Sequence, residues 1–134
     1  MPDPTDETLA ISSSADVVQV RQAVRAAATA MGFSLVDQTK IVTAASELAR
    51  NAWEHGGGGT ARVQVVAQGV RKGIRLTFVD HGPGIADLSL ALKDGFTTGQ
   101  GMGLGLSGSR RLVNEFDIAS TPGEGTRVTV TKWK

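Results

Sequence analysis

Apolar residues recur at helical spacing in the first part of the chain and at strand spacing after residue 60. From Ser14, a plausible N-cap, Val17, Val20, Val24 and Ala27 or Ala28 form one stripe that ends near Met31-Gly32. Ser34 with Asp37 has the form of a capping arrangement and opens a second helix that runs to about His55. Its apolar face is Ile41, Ala45, Leu48 and Ala52, and the four glycines 56–59 end it. Alternation in Arg62-Val63-Gln64-Val65 and in Ile74-Arg75-Leu76-Thr77-Phe78 predicts strands over Ala61–Gln68 and Gly73–Asp80, joined by Gly69-Val70-Arg71-Lys72. Residues 81–102 are Gly-rich and irregular, apart from a helical turn around Ala86–Leu92. A third helix is expected from about Gly103 to Asn114, and then Ile118–Ser120 and Arg127–Trp133 pair around Thr121–Gly125. With a short edge strand at Thr8–Ser12, the order is β-α-α-β-β-loop-α-β-β. That order predicts an α/β (α+β) two-layer sandwich, helices on one face of a mixed, mostly antiparallel sheet. Residues 1–7 read as a flexible tail and 8–134 as a single domain.

Composition narrows the function. At 134 residues, 40% hydrophobic and 20% charged, the chain suits one globular domain. A formal net charge of +1 with dispersed Lys and Arg gives no basic stripe, so neither nucleic acid nor membrane is an expected partner. The absence of cysteine excludes disulfides, thiolate catalysis and Cys-ligated zinc. Met1 to Glu7 has acids and prolines where a signal peptide needs positive charge and an apolar run, so a cytoplasmic location is expected. His55 and His81 read as surface or loop-anchoring residues, and Trp53 and Trp133 as packing residues. Glycine is the exception: 17 residues, nearly twice the usual ~7%, many of them between Gly82 and Gly125. Such clustering points to backbone that must come close to something.

Four short elements carry candidate chemistry. Glu47 and Asn51, four apart, leave one helix face beside the apolar stripe. A carboxylate there can serve as general base and an amide oxygen as a Mg²⁺ ligand, although a solvated helix edge has the same pattern. Asp80-His81-Gly82-Pro83-Gly84-Ile85 puts an acid at a strand end before a Gly-x-Gly, which suits a ligand contact or a plain tight turn. Gly99-Gln100-Gly101-Met102-Gly103-Leu104-Gly105-Leu106 runs into a helix, where exposed N–H groups favour an anion. Gly103 to Gly108 also satisfies G-x-G-x-x-G, but no buried strand precedes it and no acid ends a second strand about 20 residues on. A Walker A loop and the H-R-D and D-F-G signatures are absent. Gly123-Glu124-Gly125-Thr126, taken alone, is a hairpin turn.

In this order, Glu47-Leu-Ala-Arg-Asn51, Asp80-x-Gly82-x-Gly84, Gly101-x-Gly103-x-Gly105 and Gly125-Thr126 resemble the N, G1, G2 and G3 boxes of the GHKL ATPase/kinase superfamily. The resemblance extends from about residue 8 to the end. Ser46–Asn51, Asp94-Gly95-Phe96-Thr97-Thr98 and Lys132-Trp133 resemble the RsbT-type switch-protein serine kinases, relatives of the anti-sigma-factor kinases. The resemblance implies the Bergerat fold, with ATP and Mg²⁺ bound. It implies Glu47 as catalytic base, Asn51 as the metal ligand, and Asp80 as acceptor of the adenine amino group with Thr126 supporting it. It further implies Gly82, Gly84 and Ile85 beside the base. Gly101, Met102, Gly103, Leu104 and Gly105 would cradle the phosphates from a lid spanning about 86–102. The implied substrate is a serine or threonine of a STAS-domain protein in a stress-response partner-switching pathway, with a downstream phosphatase or other regulator as a further partner. Histidine kinases need a phosphoacceptor hairpin upstream and the gyrase-like ATPases a second domain, so neither branch is expected. Where anti-sigma-factor kinases carry an arginine before the lid glycines, this chain has Gly99-Gln100, leaving Arg50 or Lys93 as the candidate cation. Two alternatives remain: an anti-sigma factor kinase that sequesters a sigma factor, and a nucleotide-gated binding module with little catalysis.

Overall fold

The computed structural model describes residues 6–85, 92 and 106–134. Its elements are β1 (Asp6–Ile11), α1 (Ser14–Ala30), α2 (Leu35–Glu54), β2 (Gly59–Gln68), β3 (Arg71–Asp80), α3 (Leu106–Arg111), β4 (Glu115–Thr121) and β5 (Gly125–Trp133). The strands form one sheet in the order β1-β2-β3-β5-β4, and every pairing among the described residues is antiparallel. No parallel component is present there, so the sheet is simpler than the mixed one expected. The β-hairpins β2–β3 and β4–β5 are local pairings, and placing β5 beside β3 joins them into one sheet.

The helices cover one face. α1 buries Val17, Val20, Val24 and Ala28; α2 buries Ile41, Ala45, Leu48 and Ala52, together with Val42, Ala44 and Ala49. They meet a sheet face built from Ala61 and Val63 on β2, Ile74, Leu76 and Phe78 on β3, and Val128 and Val130 on β5. Period-two alternation along each strand is what brings these side chains to one side. Lys132 continues the inward set of β5 opposite Ile74, and its Nζ lies 3.5 Å from Asp37 Oδ1 in the first turn of α2.

Several boundaries differ from the sequence expectation. The N-cap of α1 is Ser13, not Ser14: its hydroxyl accepts from the Asp16 N–H, while Asp16 in turn takes the N–H and hydroxyl of Ser12. β1 starts at Asp6, inside the expected tail, because Arg62 on β2 clasps the Asp6 carboxylate at 2.7 and 2.9 Å. The β2–β3 connection shortens to Gly69-Val70, leaving Val70 99% exposed. Ser34 caps α2 as expected, accepting from the Asp37 N–H. Both tryptophans pack: Trp53 lies against the core, and Trp133 is buried, bonded through Nε1 to Glu115 with Arg71 over its ring. The helical turn expected at 86–92 lies outside the described residues apart from Leu92, as does 103–105 of the expected third helix.

Candidate active site

A recess lies between the C-terminal part of α2 and the sheet. Leu48, Asn51 and Ala52 of α2, with His55 as its C-cap, form one wall. Phe78, Asp80, Thr126 and Val128 form the sheet side, and Ile85 and the buried Leu106 complete the lining. The lining is therefore mainly apolar with a few polar groups, the composition of a small-molecule site. Of the residues singled out from sequence, Asn51, Asp80, Ile85 and Thr126 come together here. They are 29 and 46 residues apart in sequence, Asn51 to Asp80 and Asp80 to Thr126, and meet because β3 pairs with β5 beneath α2.

Asp80 ends β3 directly opposite Thr126 on β5, and both are 8% exposed. The carboxylate Oδ1 accepts the Gly82 N–H at 3.0 Å, which folds the chain back as it leaves the strand. Glycines give the aspartate its room. A Cβ on Gly56 would sit 2.3 Å from Asp80 Cγ, and one on Gly125 2.1 Å from the Asp80 carbonyl oxygen.

The 82–85 loop is fastened on two sides. His55 Nε2 donates to the Gly84 carbonyl at 3.1 Å, the loop-anchoring role read from sequence. The Gly123 N–H bonds Pro83 O at 2.8 Å, and the Ile85 N–H bonds Ser120 Oγ at 2.7 Å. Gly84 has φ +75, and a Cβ there would meet Thr121 O at 2.5 Å, so its own backbone already requires glycine.

Glu47 lies one turn before Asn51 on α2 and outside the recess lining. It pairs with Arg50 at 3.1 Å and is one-third exposed, so a base at this position can be reached from solvent. Arg50, a candidate cation, is therefore tied to Glu47 in this arrangement. Gly101, Met102, Gly103, Leu104 and Gly105, with Lys93 and the 86–102 lid apart from Leu92, fall outside the described residues.

Sequence reading missed Ser120 and Gly56. Ser120 occupies the inward register of β4 after Phe116 and Ile118, and a polar residue ending an apolar alternation was the available signal. Gly56 was read only as a helix terminator, since nothing local shows that Asp80 lies against it.

Comparison with known proteins fits this geometry. Residues 36–134 match the family described as histidine kinase-, DNA gyrase B- and HSP90-like ATPase. The chain is similar to the serine/threonine-protein kinase RsbT of Bacillus subtilis (strain 168), 44% identical over 118 residues, 88% of this chain and 89% of that one. It is also similar to the anti-sigma F factor of Thermoanaerobacter sp. (strain X514), 30% identical over 129 residues, 92% of this chain and 89% of that one. Among solved structures, the RsbU and RsbW domains of a Mycobacterium tuberculosis protein superpose with TM-score 0.64 at 23% identity. That match covers all of this chain and 33% of the other, so the chain spans about a third of that protein's length. The catalytic domain of histidine kinase ThkA, nucleotide-free, superposes with TM-score 0.53 at 17% identity, covering 96% of this chain and 98% of that one. At these identities the two structures speak to the fold alone.

Proposed function

From the premise that the chain belongs to the histidine kinase-, DNA gyrase B- and HSP90-like ATPase family, and within it is a serine/threonine-protein kinase, we propose that it phosphorylates a STAS-domain protein in a cytoplasmic partner-switching pathway. The observation that carries the reading is the convergence of Asn51, Asp80 and Thr126 on one recess. In this reading the base of ATP enters the apolar recess, its amino group donating to Asp80 with Thr126 beside it. Ile85 lines the recess, Gly82 and Gly84 shape the loop that leads to it, and the Gly101–Gly105 run holds the phosphates.

Asn51 suits a Mg²⁺ site. A single protein oxygen beside a polyphosphate fits an ion that keeps several waters and binds few side chains. When bound, the ion neutralises phosphate charge. Glu47 accepts the proton of the acceptor hydroxyl. That oxygen forms a bond to the γ-phosphorus, the bond from that phosphorus to the β,γ-bridging oxygen breaks, and ADP leaves. The solvent-facing position of Glu47 supports this assignment, because a protein substrate has to approach from outside the nucleotide recess.

The test is incubation of the chain with purified STAS-domain proteins and γ-labelled ATP. Label on a serine or threonine of the partner is the expected result; nucleotide-dependent binding without label would favour a nucleotide-gated module instead. The similarity to an anti-sigma F factor supports a second reading, a kinase that also sequesters a sigma factor. Co-purification of a sigma factor in the presence of ATP or ADP would favour it.

A further inference from the structure

Ser120 joins three parts of the site. It stands in one cross-strand row with Thr126 and Asp80, since Ser120 pairs with Thr126 and Thr126 with Asp80. The next row inward is Ile118, Val128 and Phe78, so the polar row caps an otherwise apolar face. Asp80 and Thr126 line the recess, and Ser120 lies behind them.

A serine hydroxyl has one proton and two lone pairs. The Ile85 N–H donates to Ser120 Oγ at 2.7 Å and takes one lone pair. The Gly125 carbonyl, 3.1 Å away, can only accept, so it takes the Ser120 proton. The remaining contact, 2.9 Å to Thr126 Oγ1, then requires Thr126 to donate into the second lone pair. The proton of Thr126 is thereby turned away from the recess and its oxygen is left as an acceptor. Asp80, with Oδ1 already taking the Gly82 N–H, is an acceptor too.

We propose that Ser120 is a positioning residue that holds Thr126 as an acceptor, so that the Asp80–Thr126 pair selects a purine bearing an amino group over one bearing a carbonyl at the same position. The inference rests on the reading of Asp80 and Thr126 as the base-recognising pair. An amino group meets acceptors it can satisfy. A carbonyl meets two acceptors and finds no donor in the pair, which leaves buried polar atoms unpaired.

The test is calorimetric titration of the full chain with ATP and with inosine triphosphate. The wild type should favour ATP. Ser120→Ala frees the Thr126 hydroxyl to turn its proton toward the carbonyl, so the preference for ATP should shrink roughly 2- to 10-fold, the worth of one hydrogen bond. Adding Thr126→Val removes the proton that turns, and rejection of inosine triphosphate should return. Ser120→Thr keeps the hydroxyl and should keep the preference. Should the alanine variant not fold, Ser120→Cys, a weaker hydrogen-bonding group of similar shape, should shift the preference in the same direction. A purely structural serine would lower both affinities equally, and an unchanged preference in both the alanine and cysteine variants overturns the proposal while base recognition by Asp80 stands. Equal affinities in the wild type overturn both.

Discussion

Replacing Gly56 by alanine puts a methyl group where the Asp80 side chain now lies. The new Cβ would be 2.3 Å from Asp80 Cγ, 2.5 Å from its Cβ and 2.6 Å from Oδ1. Carbon atoms rest at roughly 3.5–4.0 Å, so the aspartate has to retreat by about 1 Å or more. A rotamer change does not relieve this, because the Asp80 Cβ is itself too close and moves only with its strand. A hydrogen bond at ~2.9 Å stretched by that much passes the ~3.5 Å limit and is lost. For a bond to a carboxylate the loss is about 1.5–3 kcal/mol, or roughly 10- to 150-fold in ATP affinity. Overpacking should also lower stability by about 1–3 kcal/mol. Gly57→Ala is the control. Gly57 has φ +74 with nothing within 4 Å of an added Cβ, so alanine there brings backbone strain of about 1–2 kcal/mol and no contact with Asp80. Titration calorimetry and urea unfolding on both variants separate the effects: both lose stability, and Gly56→Ala alone loses nucleotide. Unchanged ATP affinity in a folded Gly56→Ala protein would refute the placement of the base against Asp80.

Glu47→Ala should lower phosphate incorporation into the partner ~10²–10⁴-fold with little change in ATP affinity, whereas Asn51→Ala should lower Mg²⁺-dependent binding and transfer together. Full transfer by the Glu47 variant would remove it as the base. Ser109 Oγ on α3 is buried with no hydrogen-bond partner among the described residues, so Ser109→Ala should raise urea-unfolding stability by roughly 1–3 kcal/mol; a loss would mean the hydroxyl is satisfied in solution. The backbone N–H and hydroxyl of Ser12 hold the Asp16 carboxyl below its ordinary value of 3.8. Its contribution is complete above that value and is lost as pH falls through the lower folded value, because the unfolded chain then binds the proton first. Asp16→Asn should accordingly lose less stability than the wild type on acidification from about pH 5 to about pH 2, and equal losses would count against this linkage.

Much of the fold was legible because its determinants are local. The stripe Ile41, Ala45, Leu48, Ala52 needs only the 3.6-residue period to identify a buried helix face, and all four are buried. The Ser34–Asp37 cap and the alternation through Phe78 are of the same kind, decided within a few residues. Boundaries that rest on distant partners were not legible: β1 extends to Asp6 because Arg62, 56 residues on, holds it. Lys132 shows the same division. Its inward register follows from strand period, but only packing supplies Asp37 as its counter-charge. At the site, Asn51, Asp80 and Thr126 could be marked in sequence, yet what joins them is the β3–β5 pairing beneath α2, a contact between segments far apart in the chain. Gly56 against Asp80, and Ser120 behind Thr126, belong wholly to the tertiary structure. A missing side chain and a single hydroxyl proton act only on what lies across from them, and the one-dimensional pattern carries no record of that neighbour.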